Sequence, residues 1–128
     1  MFGGFVKGSR TKEVLKFMPS NVSVNGEVLD DGNKDNGVAA RASHSASFYQ
    51  NKMYIFGGQD DDNNKLDDLW EFDLASCNWR KLGGNPGEYC PIARSGHSSI
   101  VYGTKMFIFG GIYELTKELN DMVVFDFS

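Results

Sequence analysis

The 128 residues carry a net charge of −4 and 41% hydrophobic side chains, which caps the chain at one domain with a modest core. An acidic balance without a basic stripe excludes an electrostatic nucleic-acid footprint, and no run approaches the roughly 18 consecutive apolar residues of a membrane helix. Two cysteines, Cys77 and Cys90, are too few for a disulfide scaffold, and Met1-Phe2-Gly3-Gly4-Phe5 lacks the layout of a signal peptide, so a reducing, cytoplasmic setting is the default expectation.

The chain opens on Phe2-Gly3-Gly4, which returns 54 residues later as Phe56-Gly57-Gly58 and again as Phe109-Gly110-Gly111. Self-similarity at a period of about 50 residues is the signature of a repeat architecture. Residues 1–24 read as a degenerate, partial copy. Glu13-Val14-Leu15-Lys16-Phe17 precedes the strand carrying Phe72 by 55 residues, and Val24 falls where the next copy has Trp79. Residues 25–40 include Asp30-Asp31-Gly32-Asn33-Lys34-Asp35-Asn36-Gly37, a polar, turn-rich stretch that predicts a loop between copies.

Residues 41–82 form the complete copy, with four predicted strands. Ser45–Tyr49 leads into a turn at Gln50-Asn51, and Met53–Phe56 is a continuous apolar run ended by Gly57-Gly58, as expected of a strand buried on both faces. Leu69–Leu74 alternates, with Trp70, Phe72 and Leu74 on one side and Leu69, Glu71 and Asp73 on the other. Asn78–Leu82 supplies the fourth strand, anchored by Trp79. Residues 83–93 form a second connecting loop. Residues 94–128 then repeat the pattern at a constant offset of 53, through Arg94-Ser95-Gly96-His97, Lys105–Gly111 and Leu119–Asp126, without reaching a fourth strand. Tyr113–Leu119 is the best helical candidate, although the repeat expects a loop there.

The strand-ending Phe-Gly-Gly, the Asp67-Asp68-Leu69-Trp70-Glu71-Phe72-Asp73 segment and the Trp near the copy's end resemble kelch repeats. The opening from Pro91 to His97 is typical of one kelch branch. The resemblance implies an all-β fold of kelch-type β-propeller blades, each of four antiparallel strands. About two and a half such blades make an incomplete ring, which implies a fragment whose remaining blades lie outside this chain. Alone, such a fragment is expected to expose strand edges and aggregate.

Within this frame most recurring residues read as architecture. Gly3, Gly4, Gly57, Gly58, Gly110 and Gly111 permit positive φ and close approach; a phosphate cradle would need a following helix. Trp70 and Trp79 read as interblade filling. His44 and His97 occupy equivalent positions, and each reads as structural rather than as a metal ligand with Cys77 and Cys90. Arg41 and Arg94 are evenly balanced: forks at the channel mouth gripping a partner's carboxylates, or ion pairs to an acidic group of a neighbouring blade such as Asp68 or Asp73.

The loops differ between copies, and specificity belongs there. Gln59, Asp60, Asp61, Tyr113 and Glu114 therefore join the two arginines as candidate partner-binding residues. Asp60-Asp61-Asp62-Asn63 lacks the spacing of a calcium loop and reads as a solvated turn. By resemblance the function is a non-enzymatic protein–protein interaction scaffold, without cofactor, metal, nucleic acid or membrane. The alternatives are part of a galactose-oxidase-like or other metal-dependent kelch enzyme, for which no Tyr, His and Cys convergence is visible, and a fragment with no function of its own.

Overall fold

A computed structural model describes residues 1–19, 24–86, 88 and 90–128, and among them the regular structure is all β. Strands β1 (Phe5–Val6) and β2 (Ser9–Arg10) form a short hairpin, and β3 (Val14–Pro19) pairs antiparallel with β4 (Val24–Asp30). A four-stranded antiparallel sheet follows in the order β5 (Ser45–Tyr49), β6 (Lys52–Phe56), β7 (Leu69–Asp73), β8 (Asn78–Leu82). The third sheet runs β9 (Ser98–Tyr102), β10 (Lys105–Phe109), β13 (Met122–Asp126), with the hairpin β11 (Ile112–Glu114) and β12 (Lys117–Glu118) inserted between β10 and β13. These sheets are successive blades that do not close into a ring among the described residues.

The alternation of the strands builds two separate cores. Met53 and Ile55 of β6 join Trp70 and Phe72 of β7 on the face toward the first blade, where they meet Phe2, Val14 and Val38. Tyr54 and Phe56 point to the opposite face and meet Met106, Ile108 and Val123 of the third blade. The apolar run of β6 is therefore buried on both sides because each side belongs to a different core. The innermost strands β5 and β9 approach each other over small residues. Ser47 and Ser99 share a hydroxyl hydrogen bond of 2.7 Å, and the Gly96 amide donates to the Ser43 carbonyl at 2.8 Å.

The first blade departs from the sequence reading. The loop expected over residues 25–40 begins as strand, since β4 runs through Asp30 in register with β3. Asn25-Gly26 looks like a turn, but Gly26 lies opposite Phe17 and its bare Cα accepts that ring: an added Cβ would sit 3.4 Å from it. Gly26, and not Val24, thus holds the place opposite Phe17 that Trp79 holds opposite Phe72. Eight residues separate Phe17 from Gly26 where six separate Phe72 from Trp79, so the offset arises between the two paired positions and not at the register shift beside Val14. Tyr113–Leu119 is neither helix nor open loop; it lies in the β11–β12 hairpin, whose strands pair Ile112 with Glu118.

Phe17 and Phe72 align in sequence, yet Phe17 is 48% exposed and Phe72 is 0% exposed. Phe72→Ala should cost about 3–5 kcal/mol of unfolding free energy, whereas Phe17→Ala should stay within about 0.5 kcal/mol. Urea denaturation of the two variants separates them; equal losses would show the register of the first blade to be wrong.

Candidate functional site

Antiparallel alternation carries the β6–β7 connection and the segment before β5 to the same end of the complete blade, and the corresponding parts of the third blade follow suit. This end holds every candidate partner-binding residue. Arg41 and Arg94 lie beneath it. Each is 0% exposed, and each guanidinium is filled by its own blade. Arg41 grips Asp68 through both ends of its fork, at 2.6 and 2.9 Å, while also donating to the carbonyls of Gly57 at 3.0 Å and Ala39 at 3.2 Å. Arg94 repeats the set on Asp121 at 2.7 and 2.8 Å, Gly110 at 3.1 Å and Ile92 at 3.0 Å.

The ion-pair reading therefore describes these arginines, with the correction that the acid belongs to the same blade. Both guanidiniums are fully buried and engaged within their own blades, so Arg41 and Arg94 are not carried forward as partner-binding candidates. Burial pushes the Asp68 carboxyl up, but the Arg41 fork and the Trp70 indole N–H, 2.7 Å away, outweigh it and hold the group below its ordinary range. The Arg94 fork likewise holds Asp121 down. Each arginine thus ties the start of its inner strand to both ends of the β6–β7 or β10–β13 connection.

The glycine pairs and histidines occupy the blade junctions. Gly57 has φ +63°, and a Cβ there would lie 2.7 Å from the Arg94 carbonyl and 2.9 Å from His97 Cε1. Gly58, at φ +97°, faces its own blade instead, where a Cβ would lie 2.8 Å from both the Ala42 carbonyl and the His44 Cβ. Gly3 meets Arg41 and His44 as Gly57 meets Arg94 and His97, and Gly111 meets His97 as Gly58 meets His44. Each imidazole also stands edge-on to the preceding blade's phenylalanine, His44 to Phe2 at 5.3 Å and His97 to Phe56 at 5.4 Å. His97 Nε2 shares a hydrogen bond with Ser45 Oγ at 2.9 Å. Cys77 packs against the first core while Cys90 sits by Asp67, far from a common centre with the histidines. Among the described residues no group of three or more His, Cys, Asp and Glu is placed to hold a metal.

The exposed part of the site lies between two non-repeating loops. Gln59 is anchored by paired backbone hydrogen bonds to Ala42 at 2.9 and 3.1 Å, and its side-chain amide donates to Asn63 Oδ1 at 2.9 Å. Asp60 organises the loop: its carboxylate accepts the backbone amides of Asp62 and Asn64 and the Asn64 side chain at 2.9–3.1 Å. Asp60 is therefore a loop-shaping residue with its acceptors occupied. Asp61 projects outward and accepts the Arg10 amide at 3.0 Å. Across the gap, the β11–β12 hairpin presents Tyr113, Glu114 paired to Lys117 at 3.2 Å, and Leu115, which is 102% exposed.

Gln59, Tyr113 and Glu114 thus come together around an open cleft of about 850 Å³, joined by Asn63, Lys65 and Leu115, which belong to the same two loops, Gln59–Lys65 and Ile112–Glu118, but were not named individually in the sequence reading. Their signal was available: all three fall in the segments that differ between copies. A polar cluster between the second and third blades was also not foreseen. Glu71 accepts Tyr54 Oη at 2.9 Å, Lys52 Nζ at 2.9 Å and Arg80 Nη2 at 3.1 Å. Burial and then Glu71 push the Tyr54 hydroxyl up to about 12. The equivalent of Glu71 in the third blade is Val124, so the cluster leaves no trace in the repeat pattern.

A family model described as the KLHDC2/KLHL20/DRC7 Kelch-repeats domain matches residues 1–128. Over 125 residues the chain is 31% identical to the tRNA wybutosine-synthesizing protein 2/3/4 of Arabidopsis thaliana, covering 98% of this chain and 12% of that protein. It is 42% identical over 77 residues to Host cell factor 2 of Homo sapiens, covering 56% of this chain and 9% of the relative. It is 38% identical over 99 residues to Kelch domain-containing protein 3 of Bos taurus, covering 69% of this chain and 25% of that protein. The chain spans only a small part of each of these relatives.

Arg41→Ala leaves Asp68 buried without its cation and should cost about 3–5 kcal/mol; Arg94→Ala should cost less, because the Asp121 side chain is 39% exposed. Chemical denaturation gives both values, and a neutral Arg41→Ala would return that arginine to the binding set. The histidines generate a pH dependence. Burial first, then the nearby arginines, push His44 and His97 from 6.5 to about 4. The unfolded chain binds more protons between those values, so stability falls as the pH is lowered from about 6.5 to about 4. His97→Asn should flatten that slope by about half in a pH series of urea midpoints; an unchanged slope would rule His97 out as its source.

Proposed function

The chain belongs to the kelch-repeat family, and we propose that its blades serve as a non-enzymatic, cytoplasmic platform that binds a protein partner at the cleft between the Gln59–Lys65 loop and the β11–β12 hairpin. Kelch repeats are typically protein-interaction scaffolds. The observation that carries the reading is the cleft itself: a rigid loop tied down by Asp60 on one wall, and an exposed Tyr113–Leu115 tip on the other. Tyrosine beside an aliphatic side chain, rimmed by amides and opposite charges, is the composition of an interaction hot spot with a polar border. Function resides in this site and not in the fold that holds it. The chemistry in the plant relative's name is not carried over, since the chain covers 12% of that protein.

A photo-crosslinking residue placed at Tyr113 or Leu115 should give the same protein adduct from both positions, while one at Ser76, in the β7–β8 turn at the opposite end, should not. Tyr113→Ala combined with Leu115→Ser should weaken capture of that partner at least tenfold, about 1.4 kcal/mol, with an unchanged melting temperature because both side chains are exposed. Equal adducts from Ser76, or undiminished capture by the double variant, would overturn the assignment.

A further inference from the structure

One wall of the cleft between the loops is held from the first blade. Arg10, at the end of β2, has a side chain only 13% exposed, and its guanidinium carbon lies 5.7 Å from the centroid of the Phe5 ring. Its backbone amide donates to Asp61 Oδ1 at 3.0 Å, and its Nη2 donates to Asn63 Oδ1 at 3.1 Å. The β1–β2 hairpin thus reaches across the blade boundary and grips the Gln59–Lys65 loop.

That contact decides which way two amides face. An asparagine side chain can present its oxygen or its NH2 group, but a guanidinium has donors only. Arg10 therefore fixes Asn63 with Oδ1 turned toward it. Gln59 bonds the same oxygen at 2.9 Å, which it can do only through its own NH2 group. The Asn63 backbone, at φ +64°, is set by the turn that its amide closes on the Asp60 carbonyl at 3.0 Å. What remains is one acceptor, Gln59 Oε1, and one donor, Asn63 Nδ2, on side chains that line the cleft. Neither atom has a partner among the described residues, so the two amides are linked on one side and open on the other.

We propose that Gln59 and Asn63 form a main-chain clamp for an extended segment of the partner, with Gln59 Oε1 accepting a backbone N–H and Asn63 Nδ2 donating to a backbone carbonyl. Arg10 is the positioning residue that sets the polarity of the pair. The clamp rests on the cleft as the protein-binding site and states what is read there. One acceptor beside one donor matches a peptide group, which carries one of each. A carboxylate would meet the Gln59 oxygen and an ammonium the Asn63 NH2 group, so a charged side chain is disfavoured at this point. Across the cleft, Tyr113 and Leu115 take an apolar side chain of the same segment. The preferred ligand is therefore an extended, locally uncharged stretch with an apolar residue beside the clamped amide.

The probe is a phage-displayed library of random linear peptides selected on the whole chain, with binders that the Tyr113→Ala, Leu115→Ser double variant also retains set aside. Synthetic, fluorescein-labelled copies of the remaining peptides should lose about tenfold in affinity, by fluorescence anisotropy, when one backbone amide is N-methylated. This scan leaves the protein unaltered, so it does not depend on a variant folding. Asn63→Asp keeps the oxygen that Arg10 and Gln59 bond and removes the donor; it should weaken the same peptides about tenfold at an unchanged melting temperature. Arg10→Met should weaken them several-fold, Arg10→Lys should restore part of that loss, and Arg10→Met should add nothing in the Asn63→Asp background. Peptides that need Tyr113 and Leu115 yet tolerate every N-methylation or Asn63→Asp would overturn the clamp and leave the cleft assignment standing. Peptides that instead fail on replacing their own Asn or Gln would overturn it by giving the pair to a side-chain amide. A library without binders that need Tyr113 and Leu115 would also overturn it, while the photo-adducts would still report on the cleft.

Discussion

At each junction two backbones meet with no room for a side chain between them. Gly3 and Gly57 lie under the next blade's arginine carbonyl and imidazole, and a Cβ at either would stand 2.7 Å from that carbonyl. Main-chain hydrogen bonds lock the approach: the Gly4 amide donates to the Arg41 carbonyl and the Gly58 amide to the Arg94 carbonyl, both at 2.8 Å. This contact sets the spacing between blades. Everything wider, from the Phe2–His44 edge contact to the aromatic filling around Trp79, takes the gap that the contact leaves.

The buried arginines follow from the same contact. A residue whose carbonyl is held by the preceding blade has its side chain directed into its own blade, where the free carbonyl of the glycine and the carboxylate before the third strand converge. A bidentate fork fits that planar arrangement, whereas an ammonium would meet only one oxygen well. The histidines stay neutral for a related reason: burial and an adjacent guanidinium both disfavour a second positive charge. The recurring polar residues hold the frame, and the loops that do not recur are left to vary.

This division explains how far the sequence could be read. Gly57, Arg94 and His97 recur at fixed offsets because a backbone contact tolerates no other choice, and so the repeat and its strands were legible. Arg41 was ambiguous, since residue type does not say whether a fork turns inward or outward; only its burial against Asp68 decides. The first blade was misjudged where pairing overrides local preference, as at Gly26, a turn-former that serves as a seat for Phe17. The cleft was half legible: Gln59 and Tyr113 stood out by differing between copies, but their meeting across space depends on the hairpin that Leu115 caps. Glu71 escaped notice because one copy has a carboxylate and the other a valine.

Strand β6 gives alternate side chains to two different cores, Met53 and Ile55 to one and Tyr54 and Phe56 to the other. The two cores share the backbone of one sheet, since β7 and β8 divide their side chains in the same way, and they share no side chain. A fluctuation that tilts β6 therefore loosens both at once, although no side chain connects them. Thermodynamically the chain behaves as a short linear array in which each unit's order is conditional on its neighbours. The central blade, packed on both faces, is held by both flanks at once, and strain applied to one end travels along the array as a change in cooperativity.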